Sequence, residues 1–167
     1  MYNVSASAPD ITPACSTGMR AYAGRVCYAG LSGGLVDGDL HSPRMSSYIL
    51  FSQLVADPSN ISACYQANDP TDVSTPGVVD TDGGFLRVDG AYGIKALVNV
   101  GSGLAVLATN GVWIISGGSA NGFTATNYKS TKITSSGCIS SGSVCVVDRA
   151  FLYWGDDGIY KVEPNQF

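Results

Sequence analysis

Two close pairs of carboxylates, Asp80/Asp82 and Asp156/Asp157, are the first residues whose type and spacing suggest chemistry. A glycoside hydrolase needs two carboxyl groups about 5 to 9.5 Å apart across a sugar cleft. Aspartates this close in sequence and followed by glycine more often cap turns, because their side chains bond the backbone two residues on. The run DTDGG at 80–84 is like a fragment of a calcium loop, but it lacks the third ligand position and the distal Glu of an EF-hand. His41 is the only histidine, with Asp37 and Asp39 nearby in a Gly/Ser/Pro segment. A Ser-His-Asp triad would have to use it, yet no GxSxG elbow exists, and a solvated loop histidine is the simpler reading. Trp113, Trp154, Tyr153 and Tyr160 offer rings for stacking on a sugar, or for packing between sheets. The expectation is no catalytic residue, no cofactor and no metal site.

Five cysteines, Cys15, Cys27, Cys64, Cys138 and Cys145, include no CxxC, which argues against zinc. Cys27 and Cys145 lie in apolar, strand-like runs and read as small buried hydrophobes. Cys138 and Cys145 could bridge if their strands are neighbours. The sequons at Asn3 and Asn60 carry weight only on a secretory route. The first fifteen residues show no basic start followed by an apolar run. No stretch is apolar enough for a membrane-spanning helix.

Of the 167 residues, 45% are hydrophobic and only 13% charged, about half the charged share of roughly 25% in soluble domains. Disorder is not expected on that balance, because disordered chains are charge-rich and poor in apolar residues. The 21 glycines, with polar positions mostly Ser, Thr, Asn and Asp, suit many short strands joined by tight turns. A net charge of −4 leaves no basic patch to displace counterions from phosphates, so tight nucleic-acid binding is disfavoured.

The elements carrying these residues repeat. Residues 90–116 lie without gaps on 137–163, an offset of 137 − 90 = 47. Each copy predicts strands at 96–100, 104–108 and 112–115, or 143–147, 151–155 and 159–162. Asn110-Gly111 and Asp157-Gly158 fall at one corner of the unit, where a type I′ turn would need positive φ at both central residues. A weaker copy at 20–30 matches the first two strands, with Tyr28 and Gly30 at the places of Tyr153 and Gly155. A long loop at 31–45 then leads to a strand within 47–53. Between the first unit and the second, 55–84 reads as loop, with a short helix at 61–66 capped by Ser59 or Asn60. A period near 47 falls in the blade range of propellers. The fold expected is all-β: a single β-propeller-type domain over 1–167, its ring incomplete, and part of a longer protein.

In order, the segments YILFSQ, CYQANDPTDV, 78–118, GFTATNYKSTKIT and FLYWGDDGIYKVEPNQF resemble the nozzle, or tail tubular protein B, group of short-tailed bacteriophages, with its related tail-stabilisation proteins. The resemblance runs from about Gly24 onward. It implies a virion structural protein without enzymatic activity, assembled in the bacterial cytoplasm. It also implies a self-assembled ring, six-fold in that group, beside portal and adaptor proteins and tail fibres, with double-stranded DNA only in transit. Family members are much longer and carry a channel-lining part that this sequence lacks. Loops 55–84 and 31–45 are then the expected partner contacts. The alternative is a propeller that binds host-surface glycans, and behind it a glycan hydrolase.

Overall fold

Runs of Val, Ile, Leu and aromatic residues, each closed by Gly, Asn, Asp or Ser, form strands because branched and aromatic side chains pack well on a pleated surface. A computed structural model describes residues 15–32, 43–68, 71, 77–118 and 122–164. Among them lie eleven strands, three short 3-10 turns and no α-helix. The first sheet holds β1 (Cys15–Tyr22), β2 (Arg25–Ser32), β3 (Tyr48–Phe51) and β4 (Gly84–Arg87) in chain order. The second holds β5 (Ile94–Val100), β6 (Gly103–Ala108), β7 (Gly111–Ser116) and β8 (Lys129–Thr134). The third has β9 (Cys145–Val147), β10 (Ala150–Gly155) and β11 (Gly158–Val162), with β10 central. Every pairing is antiparallel between chain neighbours.

The repeat is real in three dimensions. Strand β10 lies 47 residues after β6 at both ends, and Val147 pairs with Ala150 as Val100 pairs with Gly103. The first hairpin of every sheet has a two-residue loop whose first residue has positive φ: Ala23 at 49°, Gly101 at 56° and Asp148 at 53°. Loops with positive φ match the right-handed twist of the flanking strands.

The corner of the unit is different from expectation. Ala108 pairs with Gly111 and Gly155 with Gly158, so the loop residues are Thr109-Asn110 and Asp156-Asp157. None of these four has positive φ, which excludes a type I′ turn. Gly111 instead opens β7, where a Cβ would stand 2.5 Å from the Thr134 carbonyl of β8. Asn110 serves as a tie: its amide nitrogen donates to the Gly90 carbonyl (2.7 Å) and its oxygen accepts from the Tyr92 amide (2.9 Å).

The sheets stack face to face. Cys27, Ala29, Ile49, Phe51 and Leu86 of the first sheet meet Leu97, Leu104, Val106, Trp113 and Ile115 of the second. The other face of the second sheet, Ala96, Val98, Ala105, Leu107 and Ile114, meets Phe151, Tyr153 and Val162 of the third. Buried on both sides, β6 is apolar without alternation. The first strands converge: β1 packs on β5, and a groove touches Gly18, Leu97 and Val144 together. The architecture is all-β, in propeller-like blades that do not close into a ring among the described residues.

Two further expectations are corrected. Segment 55–84 joins β3 to β4 within the first sheet and does not separate two units. Its helix is a 3-10 turn, Pro58–Ser62, capped by Asp57, whose carboxylate accepts from the Ser59 amide (2.8 Å) and hydroxyl (2.6 Å). Proline suits a first helical position, which sets the start earlier than the apolar pattern implied. The turn stops because the Ala63 carbonyl is taken by the Gln53 amide (2.9 Å).

Candidate functional site

The most concentrated polar cluster surrounds Arg25, a residue the sequence reading passed over. Strand alternation puts Arg25 in phase with Cys27 and Ala29 on the covered face of β2, and it is 2% exposed. One terminal nitrogen donates to the carbonyls of Ser52 (2.8 Å), Thr81 (3.4 Å) and Asp82; the other donates to the Asp80 carbonyl. The guanidinium also lies 5.6 Å from the Phe51 ring centroid. Burial pulls its pKa down, while the charges of Cys27, Asp82 and Asp80 act in the opposite sense. An arginine stays protonated through such shifts. A charged residue on a strand's apolar face was the signal available in RVCYAG.

The backbone carbonyls of Asp80 and Asp82 are therefore acceptors for Arg25. Asp82 is fully buried, and its two carboxylate oxygens accept from the amides of Ala67 (3.0 Å) and Val79 (2.9 Å). The Asp80 carboxylate is exposed and accepts from the Thr126 hydroxyl, which holds its pKa below the usual range. The backbone oxygens of this DTDGG run receive the guanidinium, so the space beside them is already filled by a cation. Gly83 is required here, since a Cβ would meet the Ala63 carbonyl at 2.2 Å. Asp156 and Asp157 form an exposed turn, with Asp157 accepting from the Tyr160 hydroxyl (2.5 Å). His41, Asp37, Asp39 and most of loop 31–45 lie outside the described residues. Among the described residues no three His, Cys, Asp or Glu side chains gather as metal ligands, and no helix is long and apolar enough to cross a membrane.

The cysteines separate by depth. Cys27, Cys64, Cys138 and Cys145 are free. Burial pushes the Cys27 thiol up to about 12. Cys138 is buried, with its Sγ 3.2 Å from the Ser140 carbonyl, whereas Cys145 is exposed. The expectation of a buried Cys145 is thus overturned: it faces outward on the last sheet.

The aromatic residues divide the same way. Trp113 is buried under Lys132, whose Nζ sits 4.9 Å from the ring centroid. Tyr153 and Tyr160 stack at 5.3 Å, and burial is the main cause that pushes Tyr153 up to about 12. Trp154 is 58% exposed, though it holds the repeat position of fully buried Leu107. On the same side Ile159, opposite Trp154 in the ladder, is 71% exposed. At the far end of the stack Met19, Tyr28, Leu50 and Phe85 form one row in register across all four strands. Met19 and Phe85 are 65% and 66% exposed. Both terminal faces therefore leave large apolar side chains exposed, with Arg87 on the first and Lys161 on the last by register, and no further sheet covers either among the described residues.

A groove of about 790 Å³ runs beside the third sheet, lined by Asn99, Asp148, Arg149, Lys161 and Glu163 among others. All five are exposed, and Lys161 pairs with Glu163 at 2.6 Å. Such a solvated, charge-balanced lining is a poor place to perturb a catalytic group. No family model and no curated protein matches the chain.

Proposed function

We propose that this chain is a structural component of a bacteriophage short tail, contributing to the nozzle around the DNA-ejection conduit and to the docking of neighbouring tail proteins. The observation that carries the reading is the pair of faces at the two ends of the sheet stack, each leaving large apolar side chains exposed: Met19 and Phe85 at one end, Trp154 and Ile159 at the other. Large apolar areas left open on a stable scaffold belong to protein contacts. The order of the segments from YILFSQ to EPNQF supplies the virion context, and the acidic balance suits a wall past which DNA slides without sticking. Its partners in this reading are further copies in a ring, portal-side adaptor proteins and fibres, and it carries no enzymatic activity. Peptide mass spectrometry on purified virions of the encoding phage, separated into heads and tails, tests the proposal. Peptides of this chain are expected in the tail fraction, and their absence from virions refutes it.

A second reading draws on exposed Trp154 and Tyr65, at 58% and 63%. Rings presented to water are the usual platform for sugars, and a glycan-binding module would use them. Binding to a host-surface polysaccharide that is lost in Trp154→Ala would favour that reading over the tail.

A further inference from the structure

The outward face of the third sheet is the repeat image of a face that the same chain buries. Val98, Ala105, Leu107 and Val112 of the second sheet pack toward the third. Forty-seven residues on stand Cys145, Leu152, Trp154 and Ile159, which share the outward face of the third sheet by register, with Lys161 beside Leu152 where the second sheet has Ile114. What covers the first four is the backward face of the next sheet, built from Phe151 and Tyr153 on its second strand. The equivalent backward residues of the second sheet, Leu104 and Val106, are covered by the first. Aligning the first hairpins at Ala23, Gly101 and Asp148 places Val26 and Tyr28 at these same backward positions in the first sheet. That face, with Met19, Leu50 and Phe85 beside Tyr28 and Arg87 in register, has no sheet over it among the described residues, although the Tyr28 hydroxyl donates to the Ile61 carbonyl of the 58–62 turn (2.9 Å).

We propose that a second copy of this chain occupies the open face of the third sheet. The row Met19–Tyr28–Leu50–Phe85 of one copy packs on Leu152, Trp154 and Ile159 of the next, head to tail. The contact continues the two sheet-on-sheet interfaces already present, with the same side of the repeat forward each time. Sheets meeting this way bring inner-face side chains together across about 10 Å. Tyr48 and Phe85, whose rings lie 5.8 Å apart, present the aromatic end of the row. A head-to-tail contact is heterologous, so it joins two different patches and can close a ring. The described residues of two copies contribute six sheets, within the roughly four to eight of closed propellers. The contact follows from the sheets and does not rest on the tail assignment.

Sedimentation of the isolated protein up to about 100 µM, an affinity range accessible to modest interfaces, tests the contact. The wild type is expected to run as two chains or more. Trp154→Glu spoils only the forward face and Phe85→Glu only the backward one, and each alone is expected to weaken association at least tenfold. An equimolar mixture of the two variants is expected to restore a two-chain species, because one intact face of each kind remains. Near-UV circular dichroism and urea midpoints like those of the wild type show that the variants fold; Ile159→Lys and Met19→Lys repeat the test at neighbouring positions. A wild type that stays monomeric throughout overturns the proposal. So does undiminished association of either variant, or a monomeric mixture beside an associating wild type.

Discussion

Replacing Arg25 by Met removes a guanidinium that holds the 80–82 segment to the first sheet by its backbone oxygens. Methionine fills much of the same path without the donors. The Ser52 and Asp82 carbonyls are buried, while those of Thr81 and Asp80 retain some access to water. Hydrogen bonds from a charged donor are worth about 1.5–3 kcal/mol each, and a buried acceptor left alone costs about 1–3 kcal/mol. Counting only the two buried acceptors gives a loss of about 4 kcal/mol. The Nε atom has no partner to lose, so it adds nothing. With a urea m-value of about 2 kcal/mol/M, the midpoint falls by about 2 M. The damage should also be local, since Asp82 holds the amides of Ala67 and Val79 from the same segment. Hydrogen exchange is therefore expected to speed at Ala67 and Val79 before it does in β5–β7. Arg25→Lys should recover only part of the loss, because one ammonium cannot span donors set in a planar fork. A midpoint within about 0.5 M of the wild type would refute the account of Arg25 as the anchor.

Other outcomes follow from the same structure. Gly137→Ala places a Cβ 1.8 Å from the Thr109 carbonyl and is expected to cost about 3 kcal/mol, whereas Gly158→Ala meets open space and should change the urea midpoint little. Leu107→Ala is expected to cost about 3 kcal/mol, against under about 1 kcal/mol for Trp154→Ala in the monomer, a contrast between identical repeat positions that chemical denaturation reads directly. Cys145 should react within seconds with an aromatic disulfide reagent at pH 8, while Cys27 reacts only on unfolding, as a stopped-flow trace with and without urea would show. The Cys27 thiol is raised by burial from about 9 to about 12, so its contribution to stability is whole below pH 9 and is lost as pH climbs toward 12. Urea midpoints measured from pH 8 to 11 should fall accordingly, and Cys27→Ala should flatten that fall.

The blades were legible because their determinants are local. A two-residue loop, an apolar run and a second loop recur at 47 residues, and each piece needs only its neighbours in sequence to declare itself. The third-strand loops were misplaced by one residue because Asn-Gly and Asp-Gly carry a turn signal of their own. Here Asn110 bonds a preceding linker, and Gly111 yields room to β8. Ala23 takes positive φ without glycine and nothing in its type announced it, whereas Asp148 is of a type that tolerates the left-handed region. The role of segment 55–84 was hidden for a different reason. Strand β4 is four residues long and lies far along the chain from its partner β3, so pairing across that insertion has no local signature.

Amino-acid order alone showed the apolar strands β5–β7, β10 and β11 and the period at which the unit recurs, whereas β4 and β8 gave no such signal and the strand expected at 143–147 begins only at Cys145. The signals that did show depend on side-chain alternation and loop chemistry within a few residues. Tertiary structure decided which apolar sides are covered: Leu107 and Trp154 have the same place in the repeat, yet one is buried and the other open. It also decided that Asp80 and Asp82 offer their carbonyls to Arg25, more than fifty residues away, since a guanidinium and its acceptors meet only once the sheet and the insertion have folded together. Burial is a property of neighbours in space, and a strand carries no record of whether another sheet lies beyond it.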